Sequence, residues 1–319
     1  MEKQGECSST SVKTLNESGL SYVPQRFVLP SLQRPDPSLN HSADLPTVDL
    51  STLHQPFLRT VAINGIQKAC KEFGFFQVIN HGIPNSVMND ALEVAMDFFN
   101  LPIKEKMLLL SANVHEPVRY GSSLNQVRDK VQFWRDFIKH YSQPICKWIH
   151  LWPANPPSYK EKMGNYAKAG QVLYKQLVEV VIEGLGLEAN YLQDEIEEGS
   201  QVVATNYHPA CPQPELTLGM PPHSDYGSLT ILLQSCQGLQ ILDCNKNWIP
   251  VPVAEGAPIF QLQDQLEVMS NGLYKSVVHR VTLSPEKNRL SIASSQPTFE
   301  QENGASTSAR GQTTPSDLQ

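Results

Sequence analysis

Apolar and polar positions along this chain follow two different periods, and the change of period divides it. Val61, Ile63, Ile66, Ala69, Cys70 and Phe73 recur at helical spacing, and Gly74 marks the stop. Residues 85–100 place Val87, Ala91, Val94, Ala95 and Phe98 on one side, which predicts an amphipathic helix. A longer helix is expected over 159–183, where Tyr166, Ala169, Leu173, Leu177, Val180 and Gly184 form one stripe. Short strands are expected at 45–50, 75–79 and 131–138. From residue 201 to about 294 the text becomes a series of short β-rich runs: 202–207, 229–233, 239–243, 248–253, 259–262, around Val268, 277–282 and 290–294. That spacing predicts two antiparallel sheets in a sandwich or barrel.

The fold class expected from this order is α+β with a mostly β core: a double-stranded β-helix, or jelly roll, flanked by helices. Five segments follow. Residues 1–43 form an N-terminal arm, disordered over the Ser-, Glu-, Lys- and Thr-rich first 18 residues, then extended through Pro24, Pro30, Pro35 and Pro37. Residues 44–150 form an N-terminal region. The break Trp152-Pro153-Ala154-Asn155-Pro156-Pro157 opens supporting helices over 151–199. Residues 200–298 form the jelly-roll domain. Residues 299–319 form a polar, low-complexity tail, expected to be disordered.

With 319 residues, 40% of them hydrophobic, the chain can bury one large core or two small ones. A net charge of −7 offers no electrostatic footprint for nucleic acid or an anionic membrane. No apolar run reaches the roughly 18 residues of a membrane helix. The first residues, Met1 to Glu6, lack the apolar stretch of a secretory signal. A cytoplasmic monomer acting on a small molecule is expected. The six cysteines show no Cys-x-x-Cys spacing and are expected to be free thiols.

Candidate chemistry begins at Pro222-His223-Ser224-Asp225, where an imidazole and a carboxylate stand two residues apart beside an apolar strand run. Side chains at i and i+2 of a strand share a face, so both can aim at one point. A surface turn with a solvated aspartate produces the same pair. Downstream, the run 274–281 reads as a strand carrying His279, and Arg289-Leu290-Ser291 repeats the i, i+2 spacing with a guanidinium and a hydroxyl. Two histidines and one carboxylate on one face of a metal suit non-haem Fe(II). An arginine beside them suits a bidentate grip on a carboxylate. His81, in a turn before Ile83-Pro84, is expected to make a structural hydrogen bond rather than to ligate metal.

His223-x-Asp225, His279 and Arg289-x-Ser291 together resemble the plant 2-oxoglutarate- and iron(II)-dependent dioxygenases, with flavanone 3-hydroxylase-like members nearest. Pro212 to Gly219, Asp264 to Gly272, Leu45 to Leu50 and Phe73 to Ile83 extend the resemblance over residues 20–294. It implies Fe(II) held by His223, Asp225 and His279, with 2-oxoglutarate on Arg289 and Ser291. It also implies dioxygen as second co-substrate and ascorbate as reductant. The reaction implied is hydroxylation or desaturation of a small plant metabolite, such as a flavonoid or other phenolic, coupled to conversion of 2-oxoglutarate to succinate and carbon dioxide. No catalytic group beyond the metal site is required. Asn206 and His208 fall where the family has Asn-x-Tyr near 2-oxoglutarate, and Phe133 and Phe137 fall in its cavity wall.

The chain departs from that pattern in three places. His208 replaces the tyrosine. Pro258 and Gln263 stand in a strand that ordinarily ends in glycine before Asp264, and Gln263 has a side chain where glycine would allow a tight turn. After Ser294 the family's covering C-terminal segment is replaced by the polar tail. A second expectation follows: a truncated, catalytically impaired relative that keeps the metal triad but lacks the active-site cover. A cupin-like metal module without oxygenase activity is a third, disfavoured by Arg289 and Ser291.

Overall fold

The helical stretches fold as their periodicity dictates and prop a single large sheet. The computed structural model describes residues 11–36, 44–122 and 131–296. In chain order the elements are α1 (Val12–Glu17), β1 (Thr47–Asp49), α2 (Pro56–Glu72), β2 (Phe75–Ile79), α3 (Asn85–Asn100), α4 (Ile103–Met107), β3 (Val118–Gly121) and β4 (Asp136–Gln143). Then come α5 (Ile145–Trp148), α6 (Tyr159–Gly184), α7 (Gln193–Glu198), β5 (Gln201–His208), β6 (Met220–His223), β7 (Leu229–Gln234), β8 (Leu239–Leu242) and β9 (Trp248–Pro250). The last are β10 (Ile259–Leu262), α8 (Asp264–Met269), β11 (His279–Val281) and β12 (Arg289–Ser295). Among the described residues no helix is long and apolar enough to cross a membrane.

An eight-stranded sheet runs β1-β2-β10-β7-β12-β5-β4-β3, and a four-stranded sheet runs β6-β11-β8-β9. The two sheets form the jelly roll. The largest core lies between the eight-stranded sheet and α2, α3 and α6, where Ile66, Phe98, Tyr166, Leu177 and Ile292 are buried together. A smaller core of Phe75, Leu232, Leu239, Ile241 and Ile259 joins the two sheets. Gly74 closes α2 at φ +65°, and a Cβ there would lie 2.2 Å from the Lys275 carbonyl oxygen, so the turn excludes a side chain.

Several expectations need correction. Residues 11–18 are structured: Ser11 caps α1, and Val12 is buried with Phe27 and Trp134 in a third apolar cluster. The order comes from far along the chain. The buried Asp136 carboxylate accepts bonds from the Val12 and Lys13 amides at 2.9 and 3.1 Å and from the Ser11 hydroxyl. Composition of the first residues cannot reveal that partner. The strand expected at 131–138 begins only at Asp136. Val268 lies exposed on α8 rather than in a strand, because Asp264 and Glu267 suit a helical first turn. The strand expected over 274–281 is confined to 279–281. Pro258 precedes β10 and needs no amide there, while its carbonyl accepts from the Val78 amide at 3.2 Å. The polar tail, residues 1–10 and residues 37–43 lie outside the described residues.

Candidate metal and co-substrate site

Strand pairing brings the distant ligand candidates together. His279 on β11 is the direct cross-strand partner of His223 on β6, and their rings lie 4.1 Å apart. Asp225 follows β6 by two residues. Its Oδ1 lies 3.4 Å from His223 Nε2 and 3.8 Å from His279 Nε2. One ligand atom from each of the three lies within 4.8 Å of the others, a separation at which one ion can be shared.

The surroundings orient these groups for a metal. His223 Nδ1 lies 2.8 Å from the Pro221 carbonyl oxygen, and His279 Nδ1 lies 3.2 Å from that of Val277. A carbonyl partner takes the Nδ1 proton and leaves the Nε2 lone pair for an ion. The second carboxylate oxygen of Asp225 accepts from Gln261 Nε2 at 2.9 Å and from the Thr230 hydroxyl at 3.3 Å, which leaves Oδ1 toward the histidines. Burial pushes the Asp225 carboxyl up. The His223 contact and the positive potential of both histidines outweigh it and hold the group at about 2. Burial, with His223 alongside, lowers His279 to about 4, so it is a neutral imidazole near pH 7.

Arg289 and Ser291 open β12 on the wall of the same cavity, which has a volume of about 620 Å³. Arg289 is buried. Its Nη1 donates to Ser291 Oγ at 3.1 Å, its Nη2 to Gln234 Oε1 at 2.9 Å and its Nε to the Cys236 carbonyl oxygen at 3.3 Å. These acceptors are neutral. Burial lowers the guanidinium to about 10, still charged at neutral pH. Gln234 Nε2 and His208 Nε2 are buried polar atoms without a hydrogen-bond partner among the described residues. A carboxylate seated on Arg289 fits this arrangement, since it would neutralise the charge and could accept from the Gln234 amide.

Asn206 and His208 stand opposite Ser291 and Arg289 in register on β5. Asn206 Oδ1 accepts from Arg135 Nη1 at 2.7 Å. His208 Nδ1 lies 3.2 Å from the Trp134 carbonyl oxygen, so its Nε2 offers a lone pair and not a donor. Burial, then Arg289 and Arg135, push its pKa well below the usual imidazole value and keep it neutral. Phe137 lines the cavity; Phe133 is not among the residues lining it. His81 makes the structural contacts expected, with Nε2 2.9 Å from the Gly256 carbonyl oxygen and Nδ1 accepting from the Ile83 amide at 3.2 Å.

Sequence reasoning missed Gln261 and misjudged Gln263. Gln261 lies on β10 and Gln263 just past its end, two residues on, and both line the cavity. Gln263 accepts from the Gly227 amide at 3.0 Å and donates to the Thr230 hydroxyl and to Ser295 Oγ. Its backbone, at φ −118° and ψ 171°, needs no glycine. The signal available was two polar residues at i, i+2, one within and one just past an otherwise apolar run.

Comparisons with known proteins agree with this chemistry. Residues 199–296 match the 2OG-Fe(II) oxygenase superfamily, and residues 45–155 match the N-terminal region of non-haem dioxygenases in morphine synthesis. Flavanone 3-dioxygenase 3 of Oryza sativa subsp. japonica is 42% identical over 269 residues, covering 83% of this chain and 81% of the relative. Protein DOWNY MILDEW RESISTANCE 6 of Arabidopsis thaliana is 40% identical over 275 residues, covering 85% and 79%. The crystal structure of JOX2 in complex with 2OG, Fe and JA superposes with a TM-score of 0.82 at 33% identity, over 92% of this chain and 84% of that one.

Proposed function

The chain belongs to the 2OG-Fe(II) oxygenase superfamily, and from that premise we propose that His223, Asp225 and His279 hold Fe(II) while Arg289 and Ser291 seat the far carboxylate of 2-oxoglutarate. The observation that carries this reading is the convergence of the three ligand atoms beside a buried guanidinium whose protein acceptors are all neutral. The chain is a 2-oxoglutarate-dependent dioxygenase. The finer proposal is hydroxylation or desaturation of a small plant metabolite of the phenolic type, in line with the flavanone relative. A cytoplasmic location belongs to the same proposal and is tested by cell fractionation.

The bound ion and co-substrate supply the oxidising chemistry. The chain's own part is to aim and to shelter. Pro221 and Val277 fix the tautomers of the histidines, Gln261 and Thr230 fix the carboxylate, and Gln263 ties the 225–230 loop to β10 and β12. Purified protein with Fe(II), ascorbate and a phenolic panel should convert 2-oxoglutarate to succinate, with the oxidised product seen by mass spectrometry. Iron binding without succinate release across the panel would favour the impaired-relative reading. Absence of iron binding would end both.

A further inference from the structure

The two oxygens of the Asp225 carboxylate have different surroundings. Oδ1 faces the histidines, 3.4 Å from His223 Nε2 and 3.8 Å from His279 Nε2. Oδ2 faces the large sheet, where it accepts from Gln261 Nε2 at 2.9 Å and from the Thr230 hydroxyl at 3.3 Å. A carboxylate grips a metal ion through one oxygen or through both. On the proposed function, on which this inference rests, that choice sets how many positions the ion keeps for other ligands.

Strand register supplies the two donors. Gln261 on β10 is the direct cross-strand partner of Thr230 on β7, and Thr230 is in turn the partner of Ser295 on β12. On its other side Gln261 pairs with Phe75 on β2. Directly paired residues share a face, so the four side chains form one row across the sheet. The triad lies against that row: Phe75 meets the His279 ring edge to face, with centroids 5.8 Å apart. Gln261 and Thr230 are buried, where a hydrogen bond is stronger than in bulk water.

The direction of each bond is fixed as well. The Gly227 amide can only donate, so the Gln263 atom 3.0 Å from it is the carbonyl oxygen. Gln263 Nε2 then faces Thr230 and Ser295 and donates to both hydroxyls. With that bond accepted, the single proton of Thr230 goes to Asp225. Gln261 faces a carboxylate and presents its donor end. The two bonds fill the roughly two lone-pair sites of Oδ2. Gln261 Nε2 also lies 3.2 and 3.4 Å from the ring nitrogens of His279, so one amide abuts two of the three ligands.

We propose that Gln261 is a positioning residue: with Thr230 it holds Asp225 Oδ2 off the ion, so that the aspartate ligates through Oδ1 alone and a third position stays open beside the two taken by 2-oxoglutarate. Without the amide, Oδ2 turns onto the ion. The carboxylate becomes a chelate, the ion is held at least as tightly, and the position for a small third ligand is lost.

Nitric oxide serves as that third ligand in the test. Full-length protein is loaded anaerobically with Fe(II) and 2-oxoglutarate and titrated with nitric oxide, and the electron paramagnetic resonance signal of the adduct is followed. Mn(II) and 2-oxoglutarate affinities are measured by calorimetry on the same proteins. Gln261→Leu keeps most of the side-chain volume and removes the donor. It should bind nitric oxide roughly tenfold more weakly than the parent, with Mn(II) affinity equal or higher and 2-oxoglutarate affinity within about threefold. Thr230→Val removes the longer bond and should shift nitric oxide affinity the same way by less. A folded Gln261→Leu protein with the parent's nitric oxide affinity and signal overturns the proposal. So does a parallel fall in Mn(II) affinity, which would make the amide a support for the whole site. Should Gln261→Leu fail to fold, Thr230→Val decides, and unchanged nitric oxide binding there is the contrary result. A parent protein that binds neither Mn(II) nor 2-oxoglutarate refutes the site assignment itself and this role with it.

Discussion

Replacing Gln263 by glycine restores the residue that the resembled dioxygenase pattern carries there, and it should nonetheless destabilise this protein. The side chain is almost fully buried, at 1% exposure. It holds the Gly227 amide, the Thr230 hydroxyl and Ser295. Each bond contributes about 1 kcal/mol net. Glycine adds about 0.5–1 kcal/mol of lost chain restriction in the unfolded state. Water entering from the adjoining cavity recovers part of the loss, which leaves an expected cost of about 2–4 kcal/mol. Urea denaturation of Gln263→Gly beside Gln263→Ala separates the contributions: alanine loses the bonds without the added chain freedom. A metal titration gives a second readout. The backbone around 263 is zipped to the Asp225 loop, with the Asp264 amide donating to the Asp225 carbonyl at 3.0 Å and the Gln265 amide to that of Gly227 at 2.9 Å. Both variants should therefore bind Mn(II) more weakly. A Gln263→Gly protein as stable as the parent, or more so, would refute the claim that this side chain ties the loop.

Other perturbations follow from the same geometry. Arg289→Gln should raise the Kd for 2-oxoglutarate by roughly ten- to a hundredfold through loss of a charge-assisted grip of about 1.5–3 kcal/mol, with Mn(II) affinity nearly unchanged; an unaltered Kd contradicts the assignment. Deleting residues 1–18 should lower stability by about 3 kcal/mol or more, because the buried Asp136 carboxylate loses its Ser11, Val12 and Lys13 donors; a thermal transition at the parent temperature would disprove the contact. His140 is wholly buried, and burial lowers it to about 3. The unfolded chain therefore binds a proton between roughly pH 6.5 and pH 3 that the folded one excludes. Stability contributed by the neutral ring is present above pH 6.5 and falls as pH drops, with a slope approaching about 1.4 kcal/mol per pH unit from this group. His140→Asn should flatten that slope in denaturation measured from pH 7 to pH 4, and an unchanged slope counts against it.

The parts of the fold that sequence revealed are those whose order is local. α3 and α6 carry a continuous apolar stripe, and β2 is an apolar run between Gly74 and the Asn80-His81-Gly82 turn, so their periods alone place them. α1 escaped because its anchor, Asp136, is more than a hundred residues away. α8 escaped because six residues with an exposed Val268 carry too little periodicity. At the site, the identities of His223, Asp225, His279, Arg289 and Ser291 were readable as chemical types. Their convergence depends on the β6–β11 and β5–β12 registers, which no local pattern encodes. Gln261 was invisible for the same reason: its role exists only because β10 runs beside the triad.

The central claim is that two imidazoles and one carboxylate share a single ion. The most direct measurement is metal stoichiometry and affinity by anaerobic titration of the unaltered protein with Fe(II), repeated on His279→Ala and Asp225→Ala. One ion per chain, with binding abolished in both variants while 2-oxoglutarate-independent folding persists by circular dichroism, is the predicted result. Retention of full Fe(II) affinity by either folded variant would contradict it.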